Sequence, residues 1–243
     1  MIPKVIHYCW FGKGKLPELA EKCIKSWKKY CPDYEIIEWN ENNFDINTNT
    51  YVKEAYENRK FAFVSDYVRI YAMYNFGGIY MDTDVEVTKN LDEFLVHQGF
   101  SGFENDTQIP TGIMGCEKKF PLFKNLLDYY KNRHFINAEG KMDMTTNVIT
   151  ITKILLQEGF VPNGKFQIVK GFALYPREVF CPLDSVTWKL NRTEKTAAIH
   201  WFNQSWVSGK DRTIGKITRI FHRFFGPNCF NVIKKIVGRG CNL

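Results

Sequence analysis

The 243-residue chain has no run of 18 apolar residues, so the sequence offers no helix able to cross a bilayer. It has no Cys-x-x-Cys. Its seven cysteines (Cys9, Cys23, Cys31, Cys116, Cys181, Cys229 and Cys241) are scattered and odd in number. That argues against a disulfide framework or a thiolate zinc site and predicts reduced thiols. No basic-then-apolar leader opens the sequence, which predicts a cytoplasmic location, with peripheral attachment to the inner face of a membrane as its extension. There is no internal repeat and no low-complexity tract, so solenoids and long disordered linkers are not expected. A generally basic surface is also missing. Lys210, Arg212, Lys216, Arg219, Arg223, Lys234, Lys235 and Arg239 face only Asp211 after position 206, so the formal charge of +7 is a property of this tail. Residues 1–206 are formally neutral, and no nucleic-acid partner is expected.

What is present suits one large α/β domain over residues 1–206 followed by a basic amphipathic tail over 207–243. Hydrophobic residues make up 44% of the chain and aromatics 16%, enough for a substantial core. Lys4 to Cys9 and Tyr34 to Trp39 read as strands. Pro17 opens a helix that runs to Tyr30, and Tyr51 to Arg59 reads as another. The Asn-rich stretch between residues 40 and 50 is a loop. Gly99 to Cys116 is strand-and-turn material. Helices are expected at Phe120 to His134 and Met144 to Gln157, and short strands at Phe166 to Val169 and Phe172 to Tyr175. Ligands in alternating strand–helix folds gather at the carboxyl ends of strands.

The chemistry concentrates around Asp82 and Asp84. They follow Gly77-Gly78-Ile79-Tyr80-Met81, a glycine turn and a short buried strand. In an extended strand, positions i and i+2 share a face, so two carboxylates at that spacing can serve one hard divalent cation. Such a cation holds a diphosphate. The preceding helical run carries Asp66 and Arg69 on one face. Arg69 can pair with a phosphate or an acid, and Asp66 can accept from sugar hydroxyls. An Asp-x-Asp triplet alone is usually a solvated turn, and an Asp-x-x-Arg pair alone is usually a surface ion pair. Their combination around a glycine turn and a buried strand is much rarer.

The run from Phe63 to Arg69 and on from Gly77 to Asp84 resembles the signature of DXD-containing, family 32-type glycosyltransferases. These include bacterial capsule and lipopolysaccharide transferases, yeast mannosyltransferases and the catalytic domain of clostridial glucosylating toxins. Ile2 to Gly12 and Ala198 to Trp206 are similar to the family's first strand and its closing His…Ser-Trp motif. The resemblance implies a GT-A fold, Rossmann-like, with Mn²⁺ or Mg²⁺ and retention of anomeric configuration. It implies that Trp10 stacks on the base of the sugar nucleotide, that Asp66 and Arg69 hold its sugar, and that Tyr80 lies nearby. Asp82 would contact ribose and sugar and reach the metal directly or through water. Asp84 would ligate it directly, and Ser205 and Trp206 would close over the diphosphate. His200 and Ser205 are secondary metal candidates. Asn147 is a candidate sugar contact, set against a simpler role in a polar cluster at a helix start.

The expected activity is therefore transfer of a hexose from a nucleotide-diphosphate sugar, with a UDP-sugar favoured, to a glycan or lipid-linked glycan in bacterial surface polysaccharide synthesis. A GDP-mannose-dependent mannosyltransferase and a catalytically silent sugar-nucleotide-binding module are the alternatives. An inverting enzyme would need a carboxylate base opposite the leaving group, and for that role the sequence offers only Glu104 and Asp106, by proximity to the Asp-x-Asp run. His7 reads as a hydrogen-bonded core residue. The tail places Ile214, Ile217, Phe221, Phe224 and Phe225 on one stripe and its basic residues on another. It is expected either to dock on an anionic membrane or to pack on the core.

Overall fold

The computed structural model describes residues 1–203 and, beyond them, Thr218, His222, Arg223, Gly226 and Cys229. Ser205, Trp206 and the expected amphipathic stripes of the tail lie outside the described residues. The order of elements is β1 (Val5–Cys9), α1 (Glu18–Tyr30), β2 (Glu35–Trp39), α2 (Thr50–Glu57), α3 (Phe61–Phe76), β3 (Gly78–Met81) and β4 (Val85–Val87). Then come β5 (Gly99–Gly102), β6 (Ile113–Cys116), α4 (Pro121–Tyr130), α5 (Asn147–Gln157), β7 (Gln167–Val169), β8 (Phe172–Tyr175), α6 (Arg177–Phe180) and β9 (Ala198–His200).

Seven strands form one mixed sheet in the order β2-β1-β3-β6-β5-β8-β7, and β4 pairs with β9 in a separate ribbon. This is the expected α/β architecture. Side-chain alternation splits the core into two layers. Cys9, Tyr80, Met114 and Leu174 enter one layer with the buried faces of α2, α3, α4 and α5. Ile6, Tyr8, Ile79, Met81 and Phe100 enter the other, against Trp27 of α1, the β4–β9 ribbon and Phe180 of α6.

The glycine pair that joins α3 to β3 is required sterically. Gly77 and Gly78 have φ of 70° and 97°. A Cβ at Gly77 would lie 2.6 Å from the Lys118 nitrogen, and one at Gly78 would lie 2.6 Å from the Val5 carbonyl oxygen. His7 seals the same junction. Trp39 Nε1–H donates to His7 Nδ1 at 3.1 Å, so Nε2–H is left to donate to the Gly77 carbonyl at 2.9 Å. Burial lowers the His7 pKa to about 4, which keeps it neutral as the expected core residue.

Some expected boundaries shift. The helix begun at Pro121 ends at Tyr130 rather than His134, because Arg133 turns in to pair with Asp143. The next helix starts at Asn147 rather than Met144. Strand β4 and helix α6 are too short to leave a periodic signal.

Candidate active site

Strands β1, β2 and β3 run parallel, and β5 runs parallel to β8. β6 is antiparallel to both β3 and β5, so β3 and β5 run the same way. Five carboxyl ends therefore meet along one edge of the sheet. Trp10, Asn40, Asp82, Phe103 and Pro176 leave it there, and Thr111-Gly112 enters β6 at the same edge. Polar residues that follow the strands are brought together although they are far apart in sequence.

Asp82 and Asp84 do not converge by strand alternation, as expected above. β3 ends at Met81, and the chain turns, with Val85 N–H donating to the Asp82 carbonyl at 3.0 Å. A turn, not a pleat, aims both carboxylates at the same place. The turn feeds β4, which pairs antiparallel with β9 in a register that sets Val85 opposite His200. That pairing brings His200 Nε2 to 3.3 Å from Asp84 Oδ1. One ligand atom from each of Asp82, Asp84 and His200 lies within 4.8 Å of the others. Of the secondary candidates, His200 lies beside Asp84.

The surroundings of each acid differ. Asp84 Oδ2 accepts from Asn203 N–H at 2.7 Å, and its carbonyl accepts from Trp201 N–H at 3.0 Å. Burial alone would raise the Asp84 pKa, but the neighbouring imidazole more than offsets this and holds it below the usual range. Burial would likewise lower the pKa of His200, but the Asp84 carboxylate dominates and raises it well above the ordinary value. Among the described residues, the buried His200 Nδ1 has no hydrogen-bond partner. Asp82 Oδ1 accepts from the Tyr80 hydroxyl at 2.8 Å, and its backbone N–H donates to the Gly112 carbonyl at 2.8 Å. Gly112 lines the centre. A Cβ there would fall 2.9 Å from His200 Cε1 and 3.3 Å from Asp82 Oδ2.

Arg69 lies behind the acids, 5% exposed. Its Nη2 is 3.2 Å from both Asp66 Oδ1 and Asp82 Oδ1. Nη1 donates to the Thr111 carbonyl at 2.8 Å and Nε to the Ser65 carbonyl at 3.3 Å. The guanidinium also stacks 4.7 Å from the Tyr80 ring centroid. All three nitrogens are engaged within the protein, so Arg69 ties Asp66 and Asp82 together instead of presenting a free fork to phosphate. Tyr80 is 1% exposed and orients Asp82. Asn147 is 1% exposed, donates to the Asp66 carbonyl at 2.6 Å and accepts from the Tyr130 hydroxyl at 2.6 Å. Its amide is used up in holding α3 to α4, which favours the polar-cluster role over sugar contact. Asp66 is 7% exposed, and burial raises its pKa to about 6 despite Arg69.

Trp10 is half-buried, and its Nε1–H donates to the Gly14 carbonyl at 2.6 Å. It lines a cleft of about 380 Å³ with Lys13, Glu38, Asn40, Glu41 and Asn42. Trp10 follows β1, which pairs with β3, whereas the lining from Glu38 to Asn42 belongs to β2 and the loop after it, on the side of β1 away from Asp82. Thr111 and Gly112 escaped sequence reasoning. Their only local signal is the turn composition of Pro110-Thr111-Gly112, which says nothing about what the turn faces.

Residues 17–101 match the family described as "Glycosyltransferase sugar-binding region containing DXD motif". This stretch contains Asp66, Arg69, Asp82 and Asp84, the central part of the resemblance seen in the sequence, while Ile2 to Gly12 and Ala198 to Trp206 lie outside it. Trp10, Asn147 and His200 lie outside it. The chain is similar to inositol phosphoceramide mannosyltransferase 3 of Schizosaccharomyces pombe, 30% identical over 146 residues, covering 55% of this chain and 40% of that protein. It is also similar to mannosyl phosphorylinositol ceramide synthase CSH1 of Saccharomyces cerevisiae, 29% identical over 147 residues, covering 54% and 37%. The chain spans about two fifths of the length of these curated relatives. Neither name refers to a bacterial surface polysaccharide. Among solved structures it is similar to a glycosyltransferase involved in the glycosylation of the major capsid of PBCV-1. That match has 14% identity and a TM-score of 0.49, over 88% of this chain and 100% of the other.

Proposed function

We propose that the chain is a cation-dependent glycosyltransferase that moves a hexosyl group from a nucleoside-diphosphate sugar to a hydroxyl of a glycan or glycolipid acceptor. The observation that carries this is the meeting of Asp82, Asp84 and His200 within 4.8 Å at the carboxyl edge of the sheet. The names of the fungal relatives support mannose as the sugar and an inositol-phosphate lipid as the acceptor class. GDP-mannose therefore stands beside a UDP-hexose as the candidate sugar nucleotide.

The ligand set fits a divalent ion. Asp82 and Asp84 supply hard oxygens, and His200 adds one nitrogen, which suits Mn²⁺ better than Mg²⁺. When bound, the ion would offset the charge that develops on the departing diphosphate. The chain's own groups do the rest. Trp10 offers a ring to the base beside a cleft of suitable size. Asp66, held by Arg69, offers a carboxylate to sugar hydroxyls. Arg69 and Tyr80 fix the angle of Asp82. The basic tail, with its segregated apolar stripe, would hold the enzyme against an anionic membrane, where a lipid acceptor resides.

The test is a panel of UDP-hexoses and GDP-mannose with Mn²⁺, reading release of free nucleotide. One sugar nucleotide should be turned over, and Asp84→Asn should reduce turnover by orders of magnitude while keeping the fold. Full activity of that variant, or of the intact chain in excess chelator, would refute the cation's role. Nucleotide binding without turnover of any sugar nucleotide would favour a silent binding module.

A further inference from the structure

Behind Asp66, three helices and a loop build an aromatic box around a cation. Tyr51 comes from α2, Tyr129 and Tyr130 from α4, and Arg133 from the loop just beyond α4. The Arg133 guanidinium lies 4.9 Å from the Tyr51 ring centroid, 4.7 Å from that of Tyr129 and 5.2 Å from that of Tyr130. The Tyr51 and Tyr130 rings meet edge to face at 4.9 Å. Arg133 Nε donates to Asp143 Oδ2 at 2.8 Å, and Nη2 donates to the same oxygen. Its Nη1 is left over. Among the described residues, Arg133 Nη1 and the Tyr51 hydroxyl are both buried without a hydrogen-bond partner.

Two orphaned polar groups in one box are not what packing requires. A phenylalanine at position 51 would fill the same space without burying a hydroxyl, and burial of an unpaired polar group is costly. Their coincidence points to a ligand that supplies the missing partner. The box is joined to the candidate active site by direct contacts. The Tyr130 hydroxyl donates to Asn147 Oδ1 at 2.6 Å, and Asn147 Nδ2 donates to the Asp66 carbonyl at 2.6 Å. Tyr67, next to Asp66 on α3, sets its ring 5.6 Å from that of Tyr130. Towards the cation site, Arg69 Nη2 is 3.2 Å from both Asp66 Oδ1 and Asp82 Oδ1. Asp66 therefore links the two. The charges agree with this placement. Burial raises the Tyr51 pKa and the Asp66 carboxylate raises it further, while Arg133 joins Arg69 in opposing the rise that burial imposes on Asp66. Tyr51 and Tyr130 are fully buried, but Tyr129 is 43% exposed, so one side chain separates the guanidinium from solvent.

We propose that Arg133 Nη1 and the Tyr51 hydroxyl recognise a hydroxyl of the transferred sugar on the side of the ring away from its anomeric carbon. The inference rests on the glycosyltransferase reading above and adds the residues that choose the sugar. An anomeric phosphate held at Asp82 and Asp84 carries the ring past Asp66, and the hydroxyls beyond it meet the box. A sugar hydroxyl has the right chemistry. It accepts from the guanidinium, which can only donate, and it can exchange either role with the tyrosine. The half-exposed Tyr129 ring is the side chain that moves aside to admit it.

Tyr51→Phe removes one oxygen that has no partner in the protein, so the melting temperature should stay level or rise. Calorimetry on the full chain with Mn²⁺ compares two ligands, the sugar nucleotide that the intact protein turns over and the matching nucleoside diphosphate. Tyr51→Phe should weaken the sugar nucleotide about tenfold, and Arg133→Met, which loses a charged donor, about 10–100-fold, while the nucleoside diphosphate stays within about threefold. Sugar nucleotides deoxygenated at C4 or C6 complete the test. The one that lacks the recognised hydroxyl should bind equally to intact and Tyr51→Phe protein. Unchanged affinity of Tyr51→Phe for the sugar nucleotide overturns the proposal. So does a lowered melting temperature with equal losses for both ligands, which would make the hydroxyl structural. If the intact protein binds no nucleotide in the presence of Mn²⁺, the glycosyltransferase reading itself fails and takes this subsite with it.

Discussion

Replacing Gly112 with alanine adds one methyl group at the centre of the site. That Cβ would stand 2.9 Å from His200 Cε1, 3.0 Å from His200 Nδ1 and 3.3 Å from Asp82 Oδ2. Ordinary carbon contacts lie at 3.5–4.0 Å, so the imidazole must retreat by roughly half an ångström or more. It has little room, being buried and held by Asp84 on its other side. Gly112 is not in the left-handed region, so backbone strain does not confuse the result. Overpacking costs about 1–3 kcal/mol, offset by about 0.4–1 kcal/mol for the lost flexibility of the unfolded chain. Stability should therefore drop modestly or stay level. Metal affinity should respond more sharply. Disturbing groups that orient a ligand typically costs about 10–100-fold, or about 1.4–2.8 kcal/mol. The assay is Mn²⁺ titration by calorimetry, with thermal melting alongside. Gly14→Ala is the control, because a Cβ there meets nothing within 4 Å. Wild-type Mn²⁺ affinity in a folded Gly112→Ala protein would refute the assignment of His200 and Asp82 to one cation.

Trp10→Ala should weaken UDP or GDP binding by about 1–3 kcal/mol, the usual value of base–aromatic stacking, while pyrophosphate with Mn²⁺ binds as before. Equal losses for both ligands would return Trp10 to a packing role. Asp66 has a folded pKa of about 6 against the 3.8 of a free carboxyl, so the folded chain holds the extra proton between about pH 4 and 6. Stability from this group therefore falls as pH rises through that window, by at most about 3 kcal/mol. Asp66→Asn should gain on the intact protein in chemical denaturation at pH 7 relative to pH 4, and a pH-independent difference would contradict the burial argument. The intact chain should co-sediment with anionic but not neutral vesicles, less so at high salt, and a chain ending at Gly209 should not. Failure to pellet at low salt would dispose of the membrane role.

The sequence announced the acids but not how they meet. Asp66, Arg69, Asp82 and Asp84 sit within 19 consecutive positions of a helix–glycine–strand unit, so local pattern was enough to find them. Strand alternation was the wrong reason for their proximity, since one hydrogen bond from Val85 to Asp82 closes a turn that no propensity specifies. His200 arrives through a two-stranded ribbon that pairs it with Val85, and such long-range register has no local signal. Polar residues near the site were read as ligand contacts because polarity suggests function. For Asn147, Arg69 and Tyr80 the fold uses that polarity first, through Asp66, Thr111 and Asp82.

Charge balance ties these pieces together. Asp66 and Asp82 share the permanent cation Arg69. Asp84 is left to His200, whose raised pKa shows the cluster drawing in a proton to cover part of the deficit. With all three carboxylates ionised, Arg69 alone does not neutralise them, and Glu104 adds a further acid to the same field. A divalent ion would coordinate a neutral imidazole, so it must displace that proton from His200. Proton and metal thus compete for the same place, and the buried Arg69 sets how much charge is left for either.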